Sequence, residues 1–447
     1  MNPDELIRPE ILSLSAYHVP ASDGMVKLDA MENPYGLPPA MRRELAEMLS
    51  RVDLNRYPDP GARKLRELLA RKMGVPAGMG LLLGNGSDDL IQIITLALAK
   101  PGAVMMYPAP TFVMYAMNAT FSGMGAVPVS LRDDFSLDAE VFIKAMGEHK
   151  PALTYIAYPN NPTGVLYPEE EIVRVIKASQ GLVVLDEAYH VFAQKTFMPR
   201  LPEFPNLIII RTVSKLGLAG IRLGYLAARP QWIEQLNKVR QVYNVNVLTQ
   251  AAAIFILERL EVLEEQAALI RGEREVLKKS LMGLKGLTVF PSAANFFLVR
   301  VPDADAADAA LRRQGVLVKN LNSVALKNCL RITVGKPDEN RILVNALREA
   351  LGRGPPKSFA TLRKHRSGCA WTWTAKASLA CPPGCRFSST CSTRWRATAC
   401  WISTSRPRAT CTSTPTTPSK TSASRSARPS SRRSATNRAC AASATPM

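Results

Sequence analysis

The stretch "GLVVLDEAYHVFAQKTFMPRLPEFPNLIIIRTVSK", Gly181–Lys215, holds two short apolar runs, each closing on a polar cluster. The first, in "GLVVLDEAY" (181–189), ends in Asp186; the second, in "NLIIIRTVSK" (206–215), ends in Thr212, Ser214 and Lys215. Such runs, short, β-branched and bounded by Gly or Pro, predict strands covered on both faces. Working outward, "GAVMMYP" (102–108) and "ALTYIAYP" (152–159) repeat the pattern. Between the runs lie "DDLIQIITLALAK" (88–100) and "PEEEIVRVIKAS" (168–179), which carry helical spacing. This alternation predicts an α/β fold: a mostly parallel central sheet, right-handed crossovers and helices on both faces.

The flanks set the expected organisation. Residues 1–37 read as an irregular N-terminal arm, and "PPAMRRELAEMLSRV" (38–52) as a helix entered through proline. A large unit is expected over 38–269. The segment 231–281 reads as helical almost throughout and leads into a smaller α+β unit, 270–352, with "ANFFLVRV" and "CLRITVG" as strands.

The formal charge of +20 suggests a nucleic-acid partner until it is located. From Leu351 onward there are 17 Lys and Arg and no acid, so 40 basic and 37 acidic side chains remain in the body. A near-neutral body fits an ordinary enzyme, with no nucleic-acid partner expected. Seven of the eight cysteines also lie in the tail, leaving Cys329 alone in the body. That pattern argues against a disulfide framework and for a reducing, cytoplasmic location. The start has no signal-peptide pattern, and no run reaches the ~18–20 apolar residues of a membrane span.

In open parallel sheets, ligands collect beyond the carboxyl ends of the strands. There the sequence would gather Asp186, Lys215, the hydroxyls of Thr212 and Ser214, and the amide of Asn161 in "YPNNPTG". Pyridoxal 5'-phosphate needs such a set: an amine for its aldehyde, a carboxylate for its ring nitrogen, and donors for its phosphate. "LLLGNGSDDLIQII" offers a helix N-terminus with Gly86, Ser87 and Asp88, and "GLAGIRLGY" offers Arg222. Each element alone has a bland reading. A strand ending in Asp-Glu is more often a capped strand end, a lone lysine is usually at the surface, and Asn161 alone is a turn residue. Nucleotide hydrolases share the Asp-Glu ending, but their G-x-x-x-x-G-K-[ST] loop is absent here. The ordered combination carries the reading, and no metal site is expected.

Taken in order, "GNGSDD", "YPNNPTG", "VLDEAY" and "SKLGLAGIRLGY" resemble the fold-type I aminotransferases. With "NRYPDP" upstream and "CLRITVG" downstream, the chain is most similar to the histidinol-phosphate aminotransferases, from about Leu14 to Gly352. The resemblance implies Lys215 as the Schiff-base lysine and proton shuttle, and Asp186 as partner of the pyridine nitrogen. It implies Tyr189 and Asn161 at the ring's phenolic oxygen, Phe112 stacked on the ring, Gly86, Ser87, Thr212, Ser214 and Arg222 about the phosphate, and Asp88 among the cofactor-binding residues. Tyr57 would reach the neighbouring subunit's cofactor, making a homodimer. Arg331 would grip a substrate carboxylate, and Tyr17 and Asn33 would cover the substrate. Lys319 stands where relatives often carry a substrate-phosphate arginine, and it would bind phosphate as a point charge. The substrates implied are histidinol phosphate and 2-oxoglutarate. Amino-acid aminotransferases and phospho-amino-acid decarboxylases share most of the cofactor motifs, so these remain alternatives.

Residues 353–447 change character: Arg, Ser, Thr, Ala, Pro and Cys dominate, with four of the five tryptophans. A functional basic tail normally lacks Trp and Cys. The composition is what a GC-rich gene yields in the wrong frame. Back-translated one base over, "TPTTPSKTSAS" (414–424) is compatible with a string resembling imidazoleglycerol-phosphate dehydratase. The tail is therefore expected to be disordered, non-native protein.

Overall fold

The computed structural model describes residues 2–16 and 20–352. The tail and Tyr17 lie outside the described residues. The strands are β1 (Val26–Lys27), β2 (Gly80–Gly84), β3 (Val104–Ala109), β4 (Gly125–Ser130), β5 (Leu153–Ala157), β6 (Leu182–Asp186) and β7 (Leu207–Thr212). They continue with β8 (Gly224–Ala228), β9 (Thr288–Val289), β10 (Phe296–Arg300), β11 (Val316–Leu317), β12 (Lys319–Asn320) and β13 (Cys329–Thr333).

Seven strands form one sheet in the order β2-β8-β7-β6-β5-β3-β4. All neighbours are parallel except those of β8, which runs against both β7 and β2. The sheet is therefore mostly parallel, as expected, with one reversed strand. Along β6, Val183 and Leu185 enter one apolar cluster while Leu182 and Val184 enter another. Successive residues of a strand face opposite sides, so these central runs must be apolar throughout. Truncating one of them, Ile209→Ala for example, would cost about 2–5 kcal/mol.

A second sheet, β12-β13-β10-β9, is antiparallel and packs its own cluster, which includes Phe296, Phe297, Leu330, Ile332 and Leu343. β1 pairs with β11, bringing the N-terminal segment to this part of the molecule. The stretch 231–281 is broken into helices Pro230–Val239, Val247–Leu257 and Glu261–Met282. The first break holds Tyr243 at φ 61°, and Asn246 caps the next helix by accepting from the Thr249 amide. Among the described residues, no helix is long and apolar enough to cross a membrane.

Parallel strands end on a common rim. Asp186 closes β6 and Thr212 closes β7, while the chain leaves β5 toward Asn160 and Asn161 and β3 toward Phe112. β2 points the same way, so its exit delivers the N-terminus of helix Ser87–Leu98 to that rim.

Candidate active site

One cavity opens at this rim, between the ends of β5, β6 and β7 and the start of helix Ser87–Leu98. The strand ends contribute Asp186, Thr212, Ser214 and Lys215 to its wall. Loops and helix starts add Ser87, Asp88, Phe112, Asn161, Tyr189 and Arg222. Thus ten of the residues singled out in the sequence meet in one place.

Lys215 lies in a tight turn, Ser214–Leu218, made possible by Gly217 at φ 137°. A Cβ there would come within 2.8 Å of the Asn33 side-chain nitrogen. The Lys215 ammonium donates to the Ala30 carbonyl at 2.9 Å. Burial, then the nearby Arg331 guanidinium, lowers its pKa from 10.5 to about 8. A buried lysine is penalised for its charge, which makes the neutral, nucleophilic amine accessible near neutral pH.

Asp186 is buried, and its carboxylate is held at both oxygens. Tyr115 donates its hydroxyl to Oδ2 at 2.9 Å and the Ala188 amide donates to Oδ1 at 3.1 Å. Burial raises its pKa to about 6 against these two bonds. The next residue, Glu187, points the opposite way, into a buried ion pair with Arg211 at 2.9 Å. Glu187 also accepts from Thr196 and from the Phe197 amide, so its charge is well satisfied.

The helix N-terminus is bare of any side-chain cap, with Gly86 as the preceding residue at φ 90°. Its first amides are therefore available to an anion, reinforced by the helix dipole. Arg222 approaches so closely that a Cβ on Gly86 would lie 2.7 Å from Nη2. From the other side, a Cβ on Gly224 would lie 2.7 Å from the Ser87 nitrogen. Thr212 donates to the Ser214 hydroxyl at 2.9 Å, completing a cup of hydroxyls, amides and one guanidinium. A phosphate fits this cup, a ring nitrogen fits the buried acid, and an aldehyde fits the depressed lysine. The residues present fit pyridoxal phosphate.

The other expected residues lie around this centre. Arg331 on β13 donates to Asn161 Oδ1 at 2.6 Å and to the Asp29 carbonyl at 3.0 Å. Lys319 sits opposite it in the β12–β13 register, outside the cavity wall. Asn33 donates to the Leu216 carbonyl and to Gln266, which places it against the turn carrying Lys215. Tyr57 is 81% exposed and stacks on Tyr243 at 4.5 Å, away from this cavity within the single chain. The Tyr189 hydroxyl donates to Met31 Sδ at 3.1 Å.

Two residues went unread in the sequence. Tyr115 follows Phe112 by three positions in "APTFVMY", and nothing in that spacing tells where its hydroxyl ends. Met31 lies in "LDAMENPYG" and lines the cavity from the N-terminal segment; nothing in its side-chain chemistry marks it from sequence.

A reactive lysine, a buried acid on the neighbouring strand and an anion cup at a helix N-terminus define a pyridoxal-phosphate enzyme of the fold-type I α/β class. The family described as aminotransferase class I and II matches residues 23–347, and the chain belongs to it. It is 54% identical over 355 residues to "Histidinol-phosphate aminotransferase 2" of Cupriavidus pinatubonensis, covering 78% of this chain and 97% of that protein. It is 53% identical over 352 residues to "Histidinol-phosphate aminotransferase 2" of Burkholderia pseudomallei, covering 78% and 99%. Among solved structures, the histidinol-phosphate aminotransferase of Sinorhizobium meliloti in complex with pyridoxal-5'-phosphate is similar, with a TM-score of 0.69 and 28% identity. That match covers 77% of this chain and 97% of that one.

Proposed function

We propose that this chain is a histidinol-phosphate aminotransferase, exchanging an amino group between L-histidinol phosphate and 2-oxoglutarate to give imidazole acetol phosphate and L-glutamate. The observation that carries the reading is the convergence of Lys215, Asp186 and the uncapped helix at Ser87 on one cavity. The named relatives, matched along nearly their whole length, supply the substrate.

Bound pyridoxal phosphate supplies an electron sink that makes the substrate Cα–H acidic. Lys215 holds the cofactor aldehyde and then carries the proton at substrate Cα, a task suited to an amine near neutrality. Asp186 keeps the ring nitrogen charged. Asn161 and Tyr189 hold the ring's phenolic oxygen, and Phe112 covers one face. Gly86, Ser87, Thr212, Ser214 and Arg222 hold the phosphate, joined in a homodimer by Tyr57 from the second subunit, and Asp88 lies beside the cofactor at the start of helix Ser87–Leu98. Arg331 grips the 2-oxoglutarate or glutamate carboxylate with its fork. Lys319 binds the substrate phosphate as a point charge, and Tyr17 and Asn33 bind the substrate from the segment that covers it. The division into an arm (1–37), a large unit (38–269) and a small unit (270–352) belongs to the same reading, as does a cytoplasmic location. The tail is read as out-of-frame message, which DNA sequencing across codons 345–365 tests.

The deciding assay follows amino transfer by the full-length chain with histidinol phosphate beside aromatic amino acids, with and without 2-oxoglutarate. Preferred turnover of histidinol phosphate that depends on 2-oxoglutarate is expected. Preference for an aromatic amino acid, or carbon dioxide release without 2-oxoglutarate, would overturn the substrate assignment.

A further inference from the structure

Asp186 closes β6 with its carboxylate enclosed, and its only side-chain hydrogen-bond donor among the described residues is Tyr115. Tyr115 is fully buried on helix Met114–Ser122. Its ring stacks on Tyr155 of β5 at 4.7 Å and 5° between planes, and meets Phe112 edge-on at 5.7 Å. Tyr155 in turn donates its hydroxyl to the Ile91 carbonyl at 3.1 Å, inside the helix whose N-terminus forms the phosphate cup. The hydroxyl of Tyr115 is thus fixed in direction by packing on both sides of its ring.

We propose that Tyr115 is a positioning residue of this enzyme, its hydroxyl fixing the Asp186 carboxylate in the charged form and orientation that serve the cofactor's ring nitrogen. This rests on the reading of Asp186 as the partner of that nitrogen. The groups whose charge or titration bears on Asp186 are Tyr115, Asp88 on helix Ser87–Leu98, the adjacent Glu187, Tyr155 on β5 and Tyr189 beyond β6. Asp88 and Glu187 both disfavour a further negative charge, and burial does so more strongly. The Tyr115 hydroxyl and the Ala188 amide act in the opposite sense and favour the charge. The amide belongs to the backbone and remains in every variant, so the hydroxyl is the adjustable contact. Replacing Tyr115 by Phe keeps the ring, the stack and the volume, and removes one donor from a buried carboxylate.

The ring nitrogen acts only if the carboxylate can share its proton. Below the pH at which Asp186 ionises, cofactor binding must expel a proton and weakens. Losing a bond to a charged group displaces that acid limb upward by about one to two pH units, which lowers affinity about 2- to 10-fold at neutrality and about 10- to 100-fold below the wild-type limb.

The test measures dissociation constants of the full-length apoprotein by equilibrium dialysis from pH 5 to 9, for pyridoxal phosphate and for its 1-deaza analogue, which has carbon in place of the ring nitrogen. Tyr115→Phe is expected to weaken pyridoxal phosphate about tenfold or more at the acid end of this range and to raise its acid limb, while changing the affinity for the deaza analogue less than about threefold. Tyr155→Phe, which deletes the bonds to the Ile91 carbonyl and the Thr95 hydroxyl and leaves the Tyr115–Asp186 bond in place, is expected to leave the ratio of the two affinities unchanged. Asp186→Asn is expected to abolish the preference for pyridoxal phosphate over the analogue. Equal loss for both ligands in Tyr115→Phe, or an unmoved acid limb, overturns the role of Tyr115. An unchanged preference in Asp186→Asn overturns the reading of Asp186 itself. Thermal unfolding of each variant separates a folding failure from either result; should Tyr115→Phe not fold, infrared titration of Asp186 in wild type and Tyr155→Phe tests the same contact, a carboxylate band lacking a donor's shift counting against it.

Discussion

Replacing Gly224 by alanine tests how the phosphate cup is built. Gly224 lies in β8 at an ordinary strand conformation, so alanine meets no backbone strain of its own. The obstacle is space: its Cβ would fall 2.6 Å from the Gly86 carbonyl carbon and 2.7 Å from the Ser87 nitrogen. Both are main-chain atoms, which cannot rotate aside as a side chain does. Restoring ordinary contact near 3.4 Å requires the strand and the helix start to separate by about 0.8 Å. Amide-to-phosphate bonds stretched by that amount, from about 2.9 Å, pass beyond useful hydrogen-bond length. Each bond to a charged group is worth about 1.5–3 kcal/mol, so one lost bond weakens the cofactor about 10- to 100-fold. Overpacking adds about 1–3 kcal/mol of lost stability. The assay is cofactor affinity by equilibrium dialysis, with urea unfolding alongside. Gly147→Ala is the control: this glycine is exposed in helix Ala139–His149 with nothing within 4 Å, so alanine should gain roughly 0.5–1 kcal/mol. Gly224→Ala with affinity within threefold of wild type and unchanged stability would refute the close-approach argument.

Other outcomes follow from the same geometry. Arg331→Lys keeps the charge but loses the fork that reaches both Asn161 and the Asp29 carbonyl; KM for 2-oxoglutarate should rise at least tenfold, and an unchanged KM would remove Arg331 from carboxylate binding. Because the folded-state pKa of Lys215 is lowered, its neutral fraction grows as pH rises through about 8. Acylation of Lys215 in the apoprotein, followed by peptide mapping, should therefore have its midpoint near that value, and a midpoint near 10.5 would contradict its burial. Arg211→Met strands Glu187, which is 0% exposed, without its cation. About 3–5 kcal/mol should be lost in urea unfolding, with much of it recovered by pairing the change with Glu187→Gln; no recovery would mean the loss comes from packing rather than charge.

The central strands were legible because continuous apolar runs leave few choices. A strand buried on both faces has no polar face to dilute its signal, and β3, β5, β6 and β7 all carry it. β8, "GYLAA", carries little, since glycine and alanine favour no strand; its reversed direction comes from the connection 213–223, whose ends meet where the Val213 amide donates to the Leu223 carbonyl, rather than from its own residues. The candidate site was legible where chemistry follows a strand end, as at Asp186 and Lys215. It was hidden where the partner is remote in sequence. Arg331 meets Asn161 from 170 residues away, and nothing local to either predicts that bond. Tyr115 was hidden for another reason: a buried tyrosine's role depends on where its hydroxyl ends, which spacing does not reveal.

The segment from Val26 to Asn33 shows how the two sheets are made to serve one amine. Val26 and Lys27 pair with β11, and the Leu28 carbonyl accepts from the Thr333 amide at the end of β13. Met31 is held twice, its amide donating to the Thr333 hydroxyl and its carbonyl accepting from Asn295. The first is a parallel pairing in a two-stranded sheet of its own, and the other three reach the antiparallel sheet at Thr333 and at Asn295, which precedes β10. Between them, the Ala30 carbonyl accepts from Lys215, which belongs to the parallel sheet, and Asn33 reaches the Leu216 carbonyl next door. Eight residues thus carry a backbone acceptor from one sheet to the functional group of the other. The Ala30 carbonyl and the Glu32 carboxylate of this segment favour the charged amine, whereas burial, to which the same segment contributes through Met31, and Arg331 favour the neutral one. The N-terminal segment is part of the titrating environment of Lys215, and not merely a cover over it.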